Sequence, residues 1–275
     1  MYIVSPMTPV FFSVSGDKSG AGCRYMQTFA STDQIMIQVI ARSESRTITG
    51  YINNMVSGVR TSINWKVWSM NSTDKLYYHV ITGLADGYYT VEINGATSEP
   101  FRITSDDNEL KDTTLIQYSM KDNRQRQDAV FFISDNQYFF DFMVPGGFPD
   151  EGWTFMVDNE QYTSDDYNIY EIYARERTCK TFVLGNAIGC PIWFGDLLNR
   201  ILTCHYVYFD GNRFIRSESN VPEITQVIGG RRGFIFRQSL IDVNVFDYSE
   251  NENLLNIRRV DDQKYRNVQS KMLTI

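Results

Sequence analysis

Two histidines, four cysteines and a scatter of carboxylates are the residues of this chain suited to act as bases, nucleophiles or metal ligands. A Ser-His-Asp or Cys-His hydrolase would have to use His79 or His205. His79 sits in an apparent strand between Tyr78 and Val80, and His205 follows Cys204 where a helix gives way to a strand. Adjacent strand residues point to opposite faces, so Cys204 and His205 do not make a nucleophile–base pair. No GxSxG elbow is present. Cys23, Cys179, Cys190 and Cys204 include no CxxC pair, whereas zinc sites use ligands two to four apart. Three of them fall with His205 within 27 residues, a spacing that reads as buried free thiols. Asp141, Asp150, Glu151, Asp158 and Glu160 offer carboxylate pairs for glycoside hydrolysis, as any acidic surface does. Asp158, Glu160, Asp165 and Asp166 lie in an acidic stretch without the glycine turn and terminal Glu of a calcium loop. Gly229–Gly233, GGRRG, matches neither a phosphate loop nor a dinucleotide fingerprint. Trp65, Trp68, Tyr88 and Tyr89 would suit a sugar-stacking platform, but alternation sends at least half of them into a core. The expectation is no catalytic residue, no cofactor and no metal.

The elements that would position any site are strands. The chain has 275 residues, 43% hydrophobic and 21% charged, an ordinary globular balance long enough for two domains. Its 17 Tyr and 18 Phe favour pleated, half-buried surfaces. The net charge of −7 is uneven, with 8 Lys/Arg against 7 Asp/Glu in residues 1–105 and 13 against 20 in residues 106–241. That acidity disfavours nucleic-acid binding, and the Arg231-Arg232 pair reads as a solvated turn. The opening MYIVSPMTPVFFSVSG lacks a basic residue before its apolar run, and Pro6 and Pro9 interrupt it. No stretch approaches 18 apolar residues. A soluble protein made in a cytoplasm, with no membrane partner, is therefore expected, and Asn71-Ser72-Thr73 reads as a turn.

Candidate strands recur every 8–12 residues through the first part: Val10–Ser15, Gln34–Ala41, Thr47–Ile52, Arg60–Met70, Leu76–Thr82, Tyr88–Ile93 and Phe101–Thr104. Ile63, Trp65 and Val67 share one face, and Asn94-Gly95 marks a tight turn. This spacing predicts an immunoglobulin-like β-sandwich over residues 1–104. Ser105–Asp112 reads as a polar linker. A second β-rich domain over residues 113–241 is expected, with strands at Thr114–Ser119, Ala129–Ile133, Tyr138–Val144, Thr154–Val157, Tyr170–Ala174 and Thr181–Leu184. Pro145–Gly152 and Asn159–Asn168 read as loops between them.

Within it, Gly185–Ile215 stands out. Pro191 suits the first position of a helix near 191–203, whose Trp193, Leu197 and Ile201, beside Phe194, Leu198 and Leu202, form a broad apolar face. Tyr206–Phe209, Asp210-Gly211 and Arg213–Ile215 form a hairpin, and Gly233–Leu240 a closing strand. Residues 242–275 turn polar and charged and read as a C-terminal arm, either loose or docked on a neighbour. The fold class expected is thus mostly β, with one short helix and a C-terminal arm. The residues chosen as an interface are Gly146, Gly147 and Phe148 of an exposed loop, with Leu254, Leu255, Met272, Leu273 and Ile275 of the arm.

From Glu99 to Asn220 the chain resembles a family of virion and tail proteins of bacteriophages that infect gut Bacteroidales. The likeness is carried by Tyr88–Gly95 leading into Ser98–Ile103, by Phe140–Phe148 before Glu151-Gly152, by Thr181–Asn186 before Gly189-Cys190-Pro191, and by Leu197–Leu202 running into Tyr206–Gly211. It implies a structural part of the virion, in the tail, baseplate or neck, assembling into a ring or collar with itself and other virion proteins, and it carries over no catalytic residue. A carbohydrate-binding or receptor-adhesion module of the same particle is the alternative.

Overall fold

A computed structural model of the chain describes residues 1–12, 25–42, 47–185, 187, 189–217, 223–226 and 233–243. The proposed C-terminal arm beyond Val243, with Leu254, Leu255, Met272, Leu273 and Ile275, lies outside them, as do Cys23 and Arg231-Arg232. Among the described residues the protein is mostly β, and no helix is long and apolar enough to cross a membrane.

The first ten strands are β1 (Tyr2–Val4), β2 (Gln27–Ala30), β3 (Ile35–Ala41), β4 (Gly50–Asn54), β5 (Arg60–Ser62), β6 (Lys66–Ser69), β7 (Lys75–Ile81), β8 (Gly87–Ile93), β9 (Ala96–Thr97) and β10 (Phe101–Thr104). They form two sheets, β1-β3-β7-β6 and β2-β10-β8-β4-β5, with β9 on the side of β8. Read as A, A′, B, C, C′, D, E, F and G, with β9 left out, these are the immunoglobulin sheets A-B-E-D and A′-G-F-C-C′. Ile37, Val39, Val91, Ile93, Phe101 and Ile103 fill the space between them. Tyr89, near the start of the F-like strand, donates its hydroxyl proton to the Ala85 carbonyl 2.8 Å away, the tyrosine corner of such sandwiches. Val91 occupies the position two residues on where antibody domains place a disulfide cysteine. Apolar packing takes over there. The Asn94-Gly95 turn has φ of 47° and 86°, both left-handed, as a two-residue hairpin of this hand requires.

Three local expectations change. The N-terminal strand is Tyr2–Val4 rather than Val10–Ser15; Phe12 makes only a single bridge to Ser98, and residues 13–15 lie outside the described set. Arg60–Met70 is two strands on different sheets, so Ile63 and Trp65 turn into the sandwich while Val67 faces water. The linker holds one helical turn, α1 (Asp107–Leu110), capped by the Asp106 carboxylate accepting from the Asn108 N–H.

The later strands are β11 (Thr113–Ser119), β12 (Phe132–Ile133), β13 (Asn136–Gln137), β14 (Phe140–Gly147), β15 (Trp153–Thr163), β16 (Ile169–Leu184), β17 (Tyr206–Phe209), β18 (Asn212–Arg216), β19 (Glu223–Gln226) and β20 (Phe234–Asp242), with α2 (Ile192–Ile201) between β16 and β17. Their ladders run β14-β11-β17-β18-β20, and β20 pairs with β16, which returns to β14. Six strands therefore form a closed hydrogen-bonded circuit, which removes the open edges a flat sheet would leave. Phe140, Phe142, Phe182, Phe209, Phe236 and Leu240 pack with the buried α2 residues Trp193, Phe194, Leu197, Leu198 and Ile201. Pro191 is the residue before the helix, extended at ψ 150°, rather than its first turn.

The two parts share a seam. Met36, Ile40, Leu76 and Tyr78, on the outer face of β3 and β7, are buried with the circuit's core. Gln38 lies on that face with no exposure, and its amide both donates to the Val130 carbonyl (2.6 Å) and accepts from the Val130 N–H (3.0 Å). A buried amide left half-paired would cost about 1–3 kcal/mol, so the pairing fixes how the two parts meet.

The circuit closes through only two residue pairs, Gly146↔Leu184 and Gly147↔Val183. Pro145-Gly146-Gly147 thus belongs to β14, and Phe148 is half-buried against the rings of Phe214 (4.8 Å between centroids), Phe182 (5.2 Å) and Phe209 (5.6 Å). The exposed loop expected at Gly146, Gly147 and Phe148 is instead a strand end and a core plug. Gly146 adopts φ 130°, and the Val183 carbonyl oxygen occupies the place a Cβ would take. Gly147 has no left-handed φ, and a Cβ there would make only ordinary contact with the Thr114 hydroxyl at 3.9 Å. Gly146→Ala is expected to lower stability by about 2–4 kcal/mol, and Gly147→Ala by under about 1 kcal/mol, in urea denaturation of the two variants.

Candidate functional site

The residues first considered for chemistry do not converge. His79 is half-buried with Nδ1 3.1 Å from the Asn64 carbonyl, and burial lowers its pKa below the ordinary histidine value, so it is neutral near pH 7. His205 meets the Lys121 N–H at 3.5 Å. Burial pushes the Cys204 thiol up to about 12, which suppresses thiolate. Cys179 and Cys190 are buried, and the Cys190 thiol donates to the Phe234 carbonyl 3.4 Å away. Asp141 is buried and accepts from the Gln34 N–H (3.1 Å) and the Gln117 amide (2.8 Å), a bracing role across the seam. Asp158 pairs with Arg177. Among the described residues, no three His, Cys, Asp or Glu side chains gather as a metal set. Of the aromatic platform, Tyr89 is buried and Trp65 and Trp68 are packed against the cores, leaving Tyr88 exposed.

What the structure does present is an arm. β15 and the Ile169–Lys180 part of β16 pair along eleven positions from Trp153↔Lys180 to Thr163↔Ile169. At ~3.3 Å per residue the hairpin is roughly 35 Å long. Residues 159–168, expected as a long loop, are strand as far as Thr163, and the turn is 164–168. The Ser164 N–H donates to the Asn168 carbonyl (2.9 Å) and the Tyr167 N–H to Ser164 (2.9 Å), with Tyr167 left-handed at φ 63°. Nearly every side chain from Trp153 to Arg177 is exposed.

The register sorts these side chains. Directly paired residues share a face, so Trp153, Phe155 and Val157 lie with Ala174, Thr178 and Glu176 on one side. Ile172 joins them at a bulge opposite Glu160/Gln161. The other side carries Met156, Asp158, Tyr162, Tyr170, Tyr173, Arg175 and Arg177. One face carries an apolar row, Trp153, Phe155, Val157 and Ile172, beside Asn159, Glu176 and Lys180, and the other mixes tyrosine with charge. Phe155 is 78% exposed, Val157 64% and Ile172 60%. Of the twenty large hydrophobic residues exposed among the described residues, ten lie between Trp153 and Tyr173, which makes this hairpin the main apolar surface of the molecule.

A two-stranded hairpin wetted on both faces is marginal alone, so the arm takes its stability from its base. There β16 runs on without a break into the circuit, burying Phe182 and Leu184. Lys180 lies 4.2 Å over the Trp153 ring and pairs with Asp242 at 3.0 Å, tying both strands to β20. Among the described residues β15 has no partner along its outer edge, which presents a row of backbone donors and acceptors.

No protein-family model and no curated protein matches the sequence. Among solved structures, a chain from the crystal structure of the ZIG-8-RIG-5 IG1-IG1 heterodimer matches 30% of this chain and 82% of its own length, at 11% identity and a TM-score of 0.16. A score that low carries no argument, and the sandwich assignment above stands on strand order alone.

Truncation should separate the circuit's core from the arm. Phe182→Ala is expected to cost about 3–5 kcal/mol, whereas Phe155→Ser should stay within about 0.5 kcal/mol of the parent in the same denaturation assay. In the native protein at pH 8, Cys204 should resist iodoacetamide and become labelled only on unfolding, as mass spectrometry of the alkylated peptide will report.

Proposed function

We propose that this chain is a structural subunit of a bacteriophage particle, assembling as a ring or collar in the tail, baseplate or neck. The observation that carries the assembly part is the arm: a protruding hairpin, with an apolar row on one face and no partner along one edge among the described residues, is suited to cover by another chain. The phage setting rests on the family resemblance between Glu99 and Asn220. A virion location follows from that setting, with synthesis in the host cytoplasm.

A closed circuit with a rigid base also suits a subunit. The arm is held by an unbroken strand rather than by a flexible tether, so the direction in which it meets a neighbour is fixed. Repeated contacts of fixed direction either close into rings or extend as filaments.

The adhesion reading has one observation of its own. Tyr162, Tyr170 and Tyr173 sit exposed together on the charged face, where sugar rings stack well on aromatics. Glycan-array binding abolished by Tyr170→Ala, with assembly intact, would shift the reading to that side.

The assembly reading is tested by light scattering across a concentration series. The parent protein should form a closed oligomer, alone or with a virion neighbour. Phe155→Asp with Ile172→Asp should leave a monomer with unchanged far-ultraviolet circular dichroism, and a parent protein that is monomeric under all of these conditions would overturn the reading.

A further inference from the structure

A groove of about 690 Å³ lies between the N-terminal segment and α2, lined mainly by apolar side chains including Ile3, Val4, Phe11, Trp193 and Leu197. Trp193, Asp196, Leu197 and Arg200 line it at the i, i+3, i+4 and i+7 spacing of one helix face, so the groove follows the length of α2. Phe11 stacks on Trp193 with centroids 5.2 Å apart and forms one wall. The Asp196 carboxylate and the Arg200 guanidinium pair with each other at 2.7 Å, so what the groove offers an occupant is apolar contact.

Its size decides the kind of occupant. Cavities of about 300–1,000 Å³ enclose one drug-sized group, which here means a few side chains and not a protein face. Stable contacts between separate proteins bury about 800 Å² on each partner, and a few side chains fall short of that. A segment of the same chain does not need so much, because tethering supplies an effective concentration on the order of millimolar.

Residues 244–275 meet these terms. They place Tyr265, Val268, Met272 and Ile275 at i, i+3, i+7 and i+10, with Arg266, Asn267, Gln269, Ser270 and Lys271 among them. This is the spacing of a helix that lays one apolar stripe into a groove. Residues 265–275 would form ~16 Å of helix against ~15 Å for α2, so the stripe matches the groove in length. β20 lies on the opposite face of α2, where Phe236 and Gln238 share a small cavity with Gly195 and Leu198. From its end, residues 244–264 reach up to ~70 Å, several times the ~10–12 Å breadth of a helix. The other runs outside the described residues, 13–24, 43–46, 218–222 and 227–232, bring at most two large apolar side chains each and none at helical spacing. We propose that residues 265–275 seat as a helix in the groove of their own chain, alongside α2, with Val268, Met272 and Ile275 entering it. A helix this short is marginal in water, so it orders only where it is packed. The contact lies within one chain and is independent of the assembly reading.

The test uses the full chain with the photo-crosslinker p-benzoylphenylalanine in place of Tyr265, in a mixture of ¹⁴N- and ¹⁵N-labelled protein diluted until light scattering reports a monomer. Single-isotope crosslinks to peptides within residues 1–12 or 192–201 are expected. Mixed-isotope crosslinks to those peptides would make the occupant a second copy's segment and overturn seating within the chain. Crosslinks confined to other peptides, or none, would overturn the groove as the acceptor. Amide hydrogen exchange gives a second measurement free of crosslinking chemistry. Residues 265–275 should be protected in the parent and should lose that protection in Val268→Asp with Met272→Asp, with the far-ultraviolet circular dichroism of a folded β protein retained. Ile3→Asp, on the groove side, should release the same residues. Exchange of 265–275 at the unprotected rate in the parent, or protection that survives Val268→Asp with Met272→Asp, contradicts the proposal.

Discussion

The six-strand circuit closes at a single joint, and that joint requires a glycine. β14 reaches β16 through two residue pairs, at one of which the backbone of Gly146 turns to φ 130° with the Val183 carbonyl against it. Phe148 then drops into the ring cluster of Phe182, Phe209 and Phe214 and seals the joint from inside. The joint divides one side of β16 between two partners: β14 holds Val183 and Leu184, and β15 takes over from Lys180 outward. On its other side β16 is held by β20 from Cys179 to Leu184. Where the circuit closes is therefore where the arm begins, and the geometry of closure sets the direction in which the arm leaves.

Magnitudes show what such an arm can do. Burying Trp153, Phe155, Val157 and Ile172 would contribute about 1.5–3 kcal/mol each, or roughly 6–12 kcal/mol in all. Association costs about 4–15 kcal/mol in lost freedom, so the apolar row alone leaves a single contact marginal. A free edge that adds backbone hydrogen bonds tips the balance, and ring closure adds to it by making the last contact intramolecular. Weak single contacts that become firm only in a closed assembly are what a structural subunit needs if it is not to aggregate during synthesis. The polar second face, with the Asp158–Arg177 pair and its tyrosines, keeps that side of the arm compatible with water.

Much of the sandwich was legible in the sequence, because turn chemistry and alternation are local. Asn94-Gly95 and Asp210-Gly211 take the left-handed conformations their residue types favour, and Tyr88–Ile93 alternates as a strand with one buried face. The compact run Gln34–Ala41 shows no alternation for a physical reason, since β3 is buried on both faces by the sandwich and by the circuit. The helix was placed within two residues at either end because its apolar period is strong. The arm was missed for the opposite reason. Asn159–Asn168 is polar and reads as a loop, yet a hairpin with neither face in a core has no need of buried alternation, and the β-favouring Trp153–Val157 and Ile169–Tyr173 at its flanks were the available signal. Gly146 and Gly147 read as a loop because a glycine pair usually is one. That one of them admits a strand from across the barrel depends on a contact with Val183, which no local pattern contains.

The central proposal is that the β15–β16 pair has two parts, with Thr181–Leu184 secured by the protein's own core and Trp153–Tyr173 to be completed by a neighbouring chain. Amide hydrogen exchange along β15 and β16, read by mass spectrometry in dilute monomer and at an associating concentration, measures this directly. Slow exchange is expected at residues 181–184 in both conditions. Fast exchange is expected over 153–173 in the monomer, with strong protection there on association. Equal protection of 153–173 in the two conditions would contradict it, since the arm would then owe its order to its own chain.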